Sequence, residues 1–341
     1  MPSHLLPTSV VGSHGLPGWV WLAREALEAG RLGVLDLREL TEDATQVALL
    51  DQERAGVDVL TTGEMTRVRF IIGFYDRFTG IRTLEAPRKL GQPLWDTNTP
   101  FEVFEKLGAP QGLGIVEEFE LARRLTDRPL KATVPGPYTL MVPLRLAGGY
   151  KDKSTLLADL VAIVNAECRA LAAAGADFIQ IDEPSPAIHP DAPADFAALF
   201  NPVVAGVPAG VRLAAHLCFG NYMGRPLAKR TYRPVLDQLR RFAVHELVLE
   251  FANREMAELE VLAELTDRFD IAAGVIDVKN SYVESAYDVA ERIDRILEYV
   301  PADRLSLVPD CGFSQTARGV TRPKLRSLVA GRDLVRDRAR P

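Results

Sequence analysis

Cysteine is scarce in this chain, which has only three in 341 residues. Cys168, Cys218 and Cys311 lie far apart, so they do not form the disulfide framework that stabilises small secreted domains. We therefore expect them to be free thiols or metal ligands in a reducing compartment.

Long apolar runs are absent as well. No stretch approaches the about 20 apolar residues that a membrane-spanning helix requires. The first residues, MPSHLLPTSVV, lack the basic start and the apolar core of a secretory signal. We expect a cytoplasmic protein without a membrane partner.

Positive charge is not in excess, since the formal net charge is -6 and the isoelectric point is about 5.6. This balance argues against nucleic acid or an anionic membrane as a partner. Basic residues cluster only from Arg332 to Arg340. We interpret residues 332–341 as a solvated basic tail.

The sequence does contain a regular alternation of β-rich runs and longer helical patterns. Residues 155–175 are typical of the helices, because their apolar residues recur at helical spacing and the run ends at Gly175. The pattern predicts an α/β fold, a TIM (β/α)8 barrel, in one domain that covers residues 1–341. A doubly wound sheet is the alternative, but VGSHGLPG lacks the G-x-G-x-x-G order of a dinucleotide site. The predicted strands are 9–14, 57–64, 130–137, 177–184, 211–220, 245–252, 269–279 and 304–312.

The stretch between the second and third predicted strands is longer than one crossover helix needs. Residues 65–127 include Pro-rich and Gly-rich pieces such as EAPRKLGQPLWDTNTP. We interpret this stretch as an insertion that forms a lid or rim, and not as a separate domain.

Chemically capable residues gather where the predicted strands end. In a barrel these ends converge on one face, which is where active sites of this fold lie. This convergence is more informative than any single motif. The residues are Ser13, His14, Glu64, Asp182, Glu183, His216, Cys218, Glu250, Asp277, Lys279, Asp310 and Cys311.

Four of these side chains have the chemistry of zinc ligands. His216 and Cys218 are two residues apart and point to one side of a strand, and Glu250 and Cys311 follow later strands. The alternative is that the cysteines are small buried residues and His216 is a hydrogen-bonded core histidine. Spacing alone favours that alternative, because these residues lack a local C-x-x-C signature.

The remaining candidates have simpler explanations. Cys168 lies within a long helical run and is explained by core packing. His189 and His245 have no evident partners and are interpreted as surface or structural residues. The DEP stretch at 182–184 fits a helix cap or a loop ion pair as well as a site.

The order and wording of the strand ends resemble the catalytic barrel of the cobalamin-independent methionine synthase family. The resemblance extends along nearly the whole chain, and its motifs are specific when seen together in this order. The stretches that carry it are VGS at 11–13, GVDVLTTGE at 56–64, VPGPYTL at 134–140, GADFIQIDEP at 175–184, AAHLCFGN at 214–221, LVLEFANRE at 247–255, AGVIDVKN at 273–280 and LSLVPDCG at 305–312.

The resemblance implies a role for each site residue. It implies Zn2+ as the cofactor, with His216, Cys218, Glu250 and Cys311 as its ligands. Ser13, Glu64 and Asp182 match positions that hold the amino-acid part of homocysteine, with the carboxylates facing its ammonium group. Asp182 and Lys279 are predicted to be catalytic.

The implied activity is a zinc-dependent S-methyltransferase reaction that converts homocysteine to methionine. A thiol coordinated to zinc is a thiolate at neutral pH and attacks a methyl group in line with its leaving group. Glu250 is expected to loosen from the metal when the thiol binds.

Three departures from the family concern the methyl-donor half of the site. The chain has room for one barrel, whereas the folate-dependent enzymes have two. MVPLRLAGGY replaces a tryptophan-containing stretch that stacks on the pterin, and Lys279 replaces a histidine proposed as proton donor. Lys279 is interpreted either as a cation for an anionic group or as an ion-pair partner of Asp277.

The donor therefore stays open between methyl-folate and a methyl-corrinoid carrier protein. Two other functions are also open: alkyl transfer from another electrophile, such as an epoxide, to another thiol, and a non-catalytic accessory protein that binds zinc or a thiol. Glu64 and Asp182 favour an amino-acid thiol, since two carboxylates would repel a sulfonate.

Overall fold

The central feature of the structure is a parallel β-sheet of six strands, which neighbour one another in the order in which they occur along the chain. The structure is a computed structural model that describes residues 5–67, 72–85, 100–189, 192–221 and 225–339. Most residues of the six strands are buried, which explains why the strands are nearly continuous apolar runs. The strands are β3 Ala132–Pro135, β5 Phe178–Asp182, β6 Arg212–Leu217, β7 Glu246–Leu249, β8 Asp270–Ile276 and β9 Leu305–Pro309.

The first two predicted strands, 9–14 and 57–64, are corrected by the structure, which has only isolated parallel bridges there. The bridges are Thr8 to Leu307, Ser9 to Val59, Ser13 to Gly63 and Leu60 to Leu130. Gly63 and Glu64 have φ angles of 72° and 57°, which an extended strand does not adopt. These two segments nevertheless lie between β9 and β3, the two edges of the sheet.

Helices connect the strands, as the sequence predicts for an α/β protein. α6 is capped by Asp152, whose side chain accepts a hydrogen bond from the Thr155 N–H, and Gly175 follows its end with a φ of 93°. Cys168 is fully buried on α6, which confirms its role in core packing. The helices are α1 Gly18–Glu28, α2 Val34–Ala55, α3 Ile72–Tyr75, α4 Ile115–Leu125, α5 Pro137–Met141, α6 Lys153–Ala173, α7 Ser185–Ile188, α8 Phe196–Phe200, α9 Leu236–Leu239, α10 Ala286–Leu297 and α11 Arg318–Ala339.

Residues 65–127 contribute to a second, smaller sheet of order β1-β2-β4. β1 Thr79–Thr83 pairs antiparallel with β2 Phe101–Gly108, and β2 pairs parallel with β4 Leu144–Leu146. Residues 65–127 are thus hydrogen-bonded to β4, a strand that follows β3 in the sequence. Residues 68–71 and 86–99 lie outside the described residues.

The basic run at 332–341 is not a solvated tail over its described part, which is a correction to the sequence interpretation. Residues up to 339 belong to α11. Arg332 is buried, and its guanidinium lies 2.6 Å from Asp58 Oδ2. Arg336 donates a hydrogen bond to the Leu5 carbonyl oxygen at 2.7 Å. Arg332 and Arg336 thus bind the N-terminal part of the chain, whereas Arg338 is exposed and pairs with Asp294. Residues 340–341 lie outside the described residues.

None of the described helices combines the length and the apolar character that a membrane crossing would need.

Candidate active site

A cavity of about 360 Å³ lies at the carboxyl ends of the parallel strands. It brings together most of the residues that the sequence predicts as functional, although they come from distant parts of the chain. Lys279 and Glu250 are not among the residues that line it. The predicted residues on its wall are Ser13, Glu64, Asp182, His216, Cys218 and Cys311.

Three of the four predicted metal ligands form a compact group. The ligand atoms of His216, Cys218 and Cys311 all lie within 4.8 Å of one another. His216 is on β6 and Cys218 follows it on the same side, as their spacing predicts. Cys311 follows β9, and its Sγ lies 3.6 Å from the Sγ of Cys218.

The environment of His216 leaves one ring nitrogen for a metal. Its Nδ1 lies 3.1 Å from the Val248 carbonyl oxygen, a hydrogen bond that needs a proton on Nδ1. Its Nε2 is buried and has no hydrogen-bond partner among the described residues. A buried acceptor without a partner, beside two thiols, is the arrangement expected of a zinc site.

The two thiols differ in acidity. The adjacent Cys218 thiol, followed by the nearby imidazole of His216, holds the pKa of the Cys311 thiol well below its usual value. The contact with Cys311 and burial raise the pKa of Cys218. Of the two thiols, that of Cys311 therefore loses its proton more readily. Sulfur and imidazole nitrogen are donors that suit zinc, so these residues fit the metal.

Glu250 and Lys279 form a buried ion pair beside this group. The Nζ of Lys279 lies 2.7 Å from Oε2 of Glu250, and both side chains are almost fully buried. Lys279 therefore pairs with Glu250 rather than Asp277, which corrects one of the two interpretations of this lysine. Although burial lowers it, the Glu250 carboxylate raises the pKa of Lys279 above its usual value, so its side chain is an ammonium.

Glu64 and Asp182 supply the negative side of the cavity. Glu64 accepts hydrogen bonds from Arg67 at 2.9 Å and from the Thr133 hydroxyl at 3.0 Å. Burial raises the pKa of Glu64 to about 7, although Arg67 opposes the shift. Burial likewise raises the pKa of Asp182 to about 6. A protonated amino group is a partner that would keep both carboxylates ionised.

Ser13 lies on the cavity wall next to the chain that follows Cys311. Its hydroxyl oxygen accepts a hydrogen bond from the Ser314 N–H at 3.1 Å, so its own proton is left for an acceptor in the cavity. Gly312 is required beside it, because a Cβ there would collide with the Ser13 hydroxyl oxygen.

The sequence prediction missed residues that orient the site. Arg67 belongs to the segment predicted as a lid, yet it is buried against Glu64 and Glu118. His189, interpreted as surface or structural, lines the cavity, whereas His245 accepts a hydrogen bond from the Leu213 N–H at 3.0 Å. No local signal marks Arg67 or His189, because each depends on contacts between distant segments.

Two acidic residues have structural roles in the turns around the site. Glu183 accepts hydrogen bonds from the N–H groups of Tyr138 and Thr139 at the start of α5, a helix that is distant in sequence, whereas the helix that follows the DEP stretch has no side-chain cap. Asp310 accepts hydrogen bonds from three successive N–H groups at residues 251–253, immediately after Glu250. It ties the turn that follows β7 to the end of β9.

Comparisons with known proteins agree with this geometry. Residues 6–332 match the model of a family described as "Cobalamin-independent synthase, Catalytic domain". A methionine synthase from Thermococcus kodakarensis is 33% identical over 333 residues, which cover 97% of this chain and 94% of that protein. A methionine synthase from Saccharolobus islandicus is 33% identical, with 98% of this chain and 96% of that protein covered.

A solved structure resembles this chain over nearly its whole length. It is a B12-independent methionine synthase from a Shewanella species in complex with selenomethionine. The TM-score is 0.84 at 27% identity, and 98% of this chain and 99% of that chain are covered.

Proposed function

We propose that this chain, which belongs to the cobalamin-independent methionine synthase family, is a methyltransferase that uses zinc to convert homocysteine to methionine. The observation that carries the proposal is one cavity whose wall holds both the His216, Cys218 and Cys311 group and the polar residues Ser13, Glu64 and Asp182. A thiol and an amino-acid head group are the two ends of homocysteine, and the cavity offers a partner to each.

His216, Cys218 and Cys311 would hold the metal, with Glu250 as the fourth ligand. When bound, zinc supplies a Lewis acid that keeps the substrate sulfur deprotonated at neutral pH. Glu250 lies outside the compact group of three, but its Oε1 is buried and has no hydrogen-bond partner among the described residues. That oxygen is therefore available as a ligand.

The chain's own residues orient the substrate for an in-line displacement. Glu64 and Asp182 as carboxylates hold its ammonium group, and the Ser13 hydroxyl donates to its carboxylate. The sulfur then forms a bond to the methyl carbon while the bond between that carbon and the donor breaks, and the electron pair leaves with the donor. Asp182, which touches the substrate, is thus proposed as a catalytic residue.

Part of the cavity wall is apolar. Val142 and Pro143, from the stretch that replaces the family's tryptophan-containing segment, line it together with Ile188 and Leu227. No tryptophan occurs among the described residues on the cavity wall. This lining accommodates a methyl group without a stacked pterin, and the donor is either methyl-folate or a methyl-corrinoid carrier protein.

The competing functions are less well supported. A thiol with a sulfonate group would meet Glu64 and Asp182 as like charges, so an amino-acid thiol is favoured over the substrate of an epoxide-thiol transferase. A non-catalytic accessory protein would not need the arrangement of sulfur and head-group partners in one cavity.

We also propose that the parallel sheet closes into a TIM barrel through the bridges of Thr8, Ser9, Ser13 and Leu60, and that residues 65–127 form its rim. The ion pair between Arg67 and Glu64 supports the second idea, because it joins this segment to the cavity wall. Hydrogen exchange measured with and without homocysteine tests the proposal for residues 65–127. Homocysteine is expected to protect the amides around Arg67 from exchange, and unchanged exchange there would refute a role of this segment at the cavity.

Metal analysis combined with a methylation assay tests the function. Wild-type protein is expected to contain about one zinc per chain. Cys311→Ser is expected to lose zinc affinity by about 100-fold or more, because a lost ligand costs more than a lost outer-shell partner. Methyl-folate and methylcobalamin are offered in parallel, and methionine formed from one of them identifies the donor.

Cys168→Ala is the matched control, since Cys168 is buried in α6 and does not line the cavity. It should keep its zinc and its activity. Zinc without methionine from either donor would contradict methyl transfer, and wild-type protein that binds no zinc would refute the metal centre.

A further inference from the structure

We infer that Lys279 is a positioning residue of the metal centre: it holds one oxygen of Glu250 and leaves the other oxygen for the metal. The inference rests on the proposed zinc site. It assigns Lys279 to the metal half of the site and not to the donor half.

The two oxygens of Glu250 have different surroundings. Oε2 lies 2.7 Å from the Lys279 Nζ and accepts a hydrogen bond from the Phe219 N–H at 3.2 Å. Oε1 is equally buried and has no hydrogen-bond partner in the described part of the chain. Since a buried carboxylate oxygen without a partner is costly, the asymmetry points to a partner that protein atoms do not supply. The nearby ligand group formed by Cys218 and its neighbours supplies the place for a cation.

Lys279 is itself held rigidly, as a positioning residue must be. Its backbone N–H donates to Asp277 Oδ1 at 2.7 Å. The carbonyl oxygen of the preceding residue, Val278, accepts a hydrogen bond from the Thr316 hydroxyl at 2.9 Å. The side chain of Lys279 is 1% exposed, so its ammonium has little freedom to seek another partner. Asp277 therefore anchors the backbone of Lys279 and is not the partner of its charge.

Charge balance gives the pair a second purpose. Two thiolates and the Glu250 carboxylate together exceed the charge of a dication by one, and a buried site does not tolerate unbalanced charge. The Lys279 ammonium cancels the excess. It does so through Glu250, so it leaves the sulfur ligands free to donate electron density to the metal.

The pair also connects three strand ends. Glu250 follows β7, Lys279 follows β8, and Phe219 follows the ligand Cys218 after β6. A change at Lys279 is thus expected to reach the metal although Lys279 does not line the cavity. Outer-shell partners of metal ligands typically contribute about 10- to 100-fold to metal affinity.

Competition with a chromophoric chelator measures the affinity for Zn2+, and the absorption spectrum of the Co2+ form reports the ligand set. Lys279→Met, which preserves length and removes the charge, should lower the affinity by about 10- to 100-fold and change the Co2+ spectrum. Lys279→Gln, which keeps a polar donor in place of the ammonium, should lose less. Lys106→Met removes another lysine that pairs with an acid, Asp159 on α6, and that does not line the cavity, so its metal affinity should match the wild type.

A double-mutant cycle shows whether Lys279 acts through Glu250. In a Glu250→Gln background, Lys279→Met should cause no further loss of metal affinity, because the pair is already broken. An equal loss in both backgrounds would overturn the inference, as would a Lys279→Met protein that is folded and binds both metals as the wild type does. Wild-type protein that binds no metal would instead refute the proposed function, so the two failures are distinguishable.

Discussion

The carboxylate of Glu64 is buried, accepts a hydrogen bond from the guanidinium of Arg67 and interacts with the charge of Asp182. Its backbone has a φ of 57°, a left-handed conformation that is uncommon for a residue with a side chain. Such strain is maintained where the surrounding structure requires it, and it turns this acid into the cavity. Gly12 permits the arrangement, because a Cβ at that position would lie 2.5 Å from Glu64 Oε1.

This environment predicts a pH-dependent affinity for homocysteine. Burial raises the pKa of Glu64 to about 7, so the carboxyl group takes up a proton as the pH falls below that value. The neutral acid attracts the substrate ammonium less. KM is therefore expected to rise as the pH falls from about 7.5 to about 5.5. Glu64→Gln should raise KM about tenfold at neutral pH, the equivalent of one hydrogen bond to a charged group.

The same variant should also flatten the part of the pH profile of KM that lies above about pH 6, the value to which burial raises the pKa of Asp182. Glu117→Gln is the matched control, since Glu117 is an exposed acid on α4 that does not line this cavity. Steady-state kinetics across the pH range decide the matter, and a profile that persists in Glu64→Gln would assign the titration to another group.

At the scale of elements, β3 and β5 are joined inside the sheet by a chain of polar contacts. Lys131, just before β3, donates to Gln180 Oε1 on β5 at 2.5 Å. Gln180 Nε2 in turn donates to Asp182 Oδ1 at 2.6 Å and to the Val11 carbonyl oxygen at 2.8 Å. The ammonium fixes which way the Gln180 amide points, and the amide fixes the carboxylate of Asp182 at the end of β5.

We expect Gln180→Leu to raise KM for homocysteine by roughly 5- to 10-fold with less effect on kcat, because Asp182 loses the donor that orients it. The free energy of unfolding should fall by about 1–3 kcal/mol, since the Lys131 ammonium loses a buried acceptor. Steady-state kinetics and urea unfolding measure the two effects.

Gln180→Glu tests the donor role. It keeps an acceptor for Lys131 but turns a carboxylate oxygen toward Asp182, so KM should stay high. Wild-type KM in both variants would mean that Asp182 does not depend on Gln180.

At the scale of the whole molecule, α11 binds the beginning of the chain to its end. Arg318 on α11 donates to Asp51 on α2 at 2.6 Å, and His14 lies 3.1 Å from the same carboxylate. Arg322 adds a further contact with Asp51 at 3.4 Å. Although burial opposes it, hydrogen bonds from His14 and Arg318 hold the pKa of Asp51 well below its usual value of 3.8.

Asp51→Asn is expected to lower the free energy of unfolding near pH 7 by about 2–3 kcal/mol, because the arginines are only partly buried. An acid whose folded pKa is depressed contributes stability above its unfolded pKa and loses it as the pH falls through the folded pKa. The difference between wild type and variant should therefore be steady from about pH 5 to 8 and shrink below about pH 4.

Urea unfolding at a series of pH values measures this difference. Asp43→Asn changes an exposed acid on the same helix and should have little effect. A difference that does not narrow in acid would show that Asp51 acts through packing and not through its charge.

The sequence by itself determined what depends on local periodicity. Strand alternation placed His216 and Cys218 on one side of β6, and the positions of Glu64, Asp182 and Cys311 at strand ends placed these residues on the same face of the predicted barrel. The order of the polar strand ends carried the resemblance to the family, which the comparisons confirm. These features follow from a short repeat in the chain and from the convergence of parallel strand ends.

The tertiary structure decided what depends on contacts between distant segments. Only the fold paired Lys279 with Glu250 and buried Arg67 against Glu64. It also placed Arg332, from the basic run, in an ion pair with Asp58. The physical reason is that burial and charge partners are set by neighbours that are remote in sequence, and the same lysine or arginine is compatible with solvent or with an ion pair until those neighbours are in place.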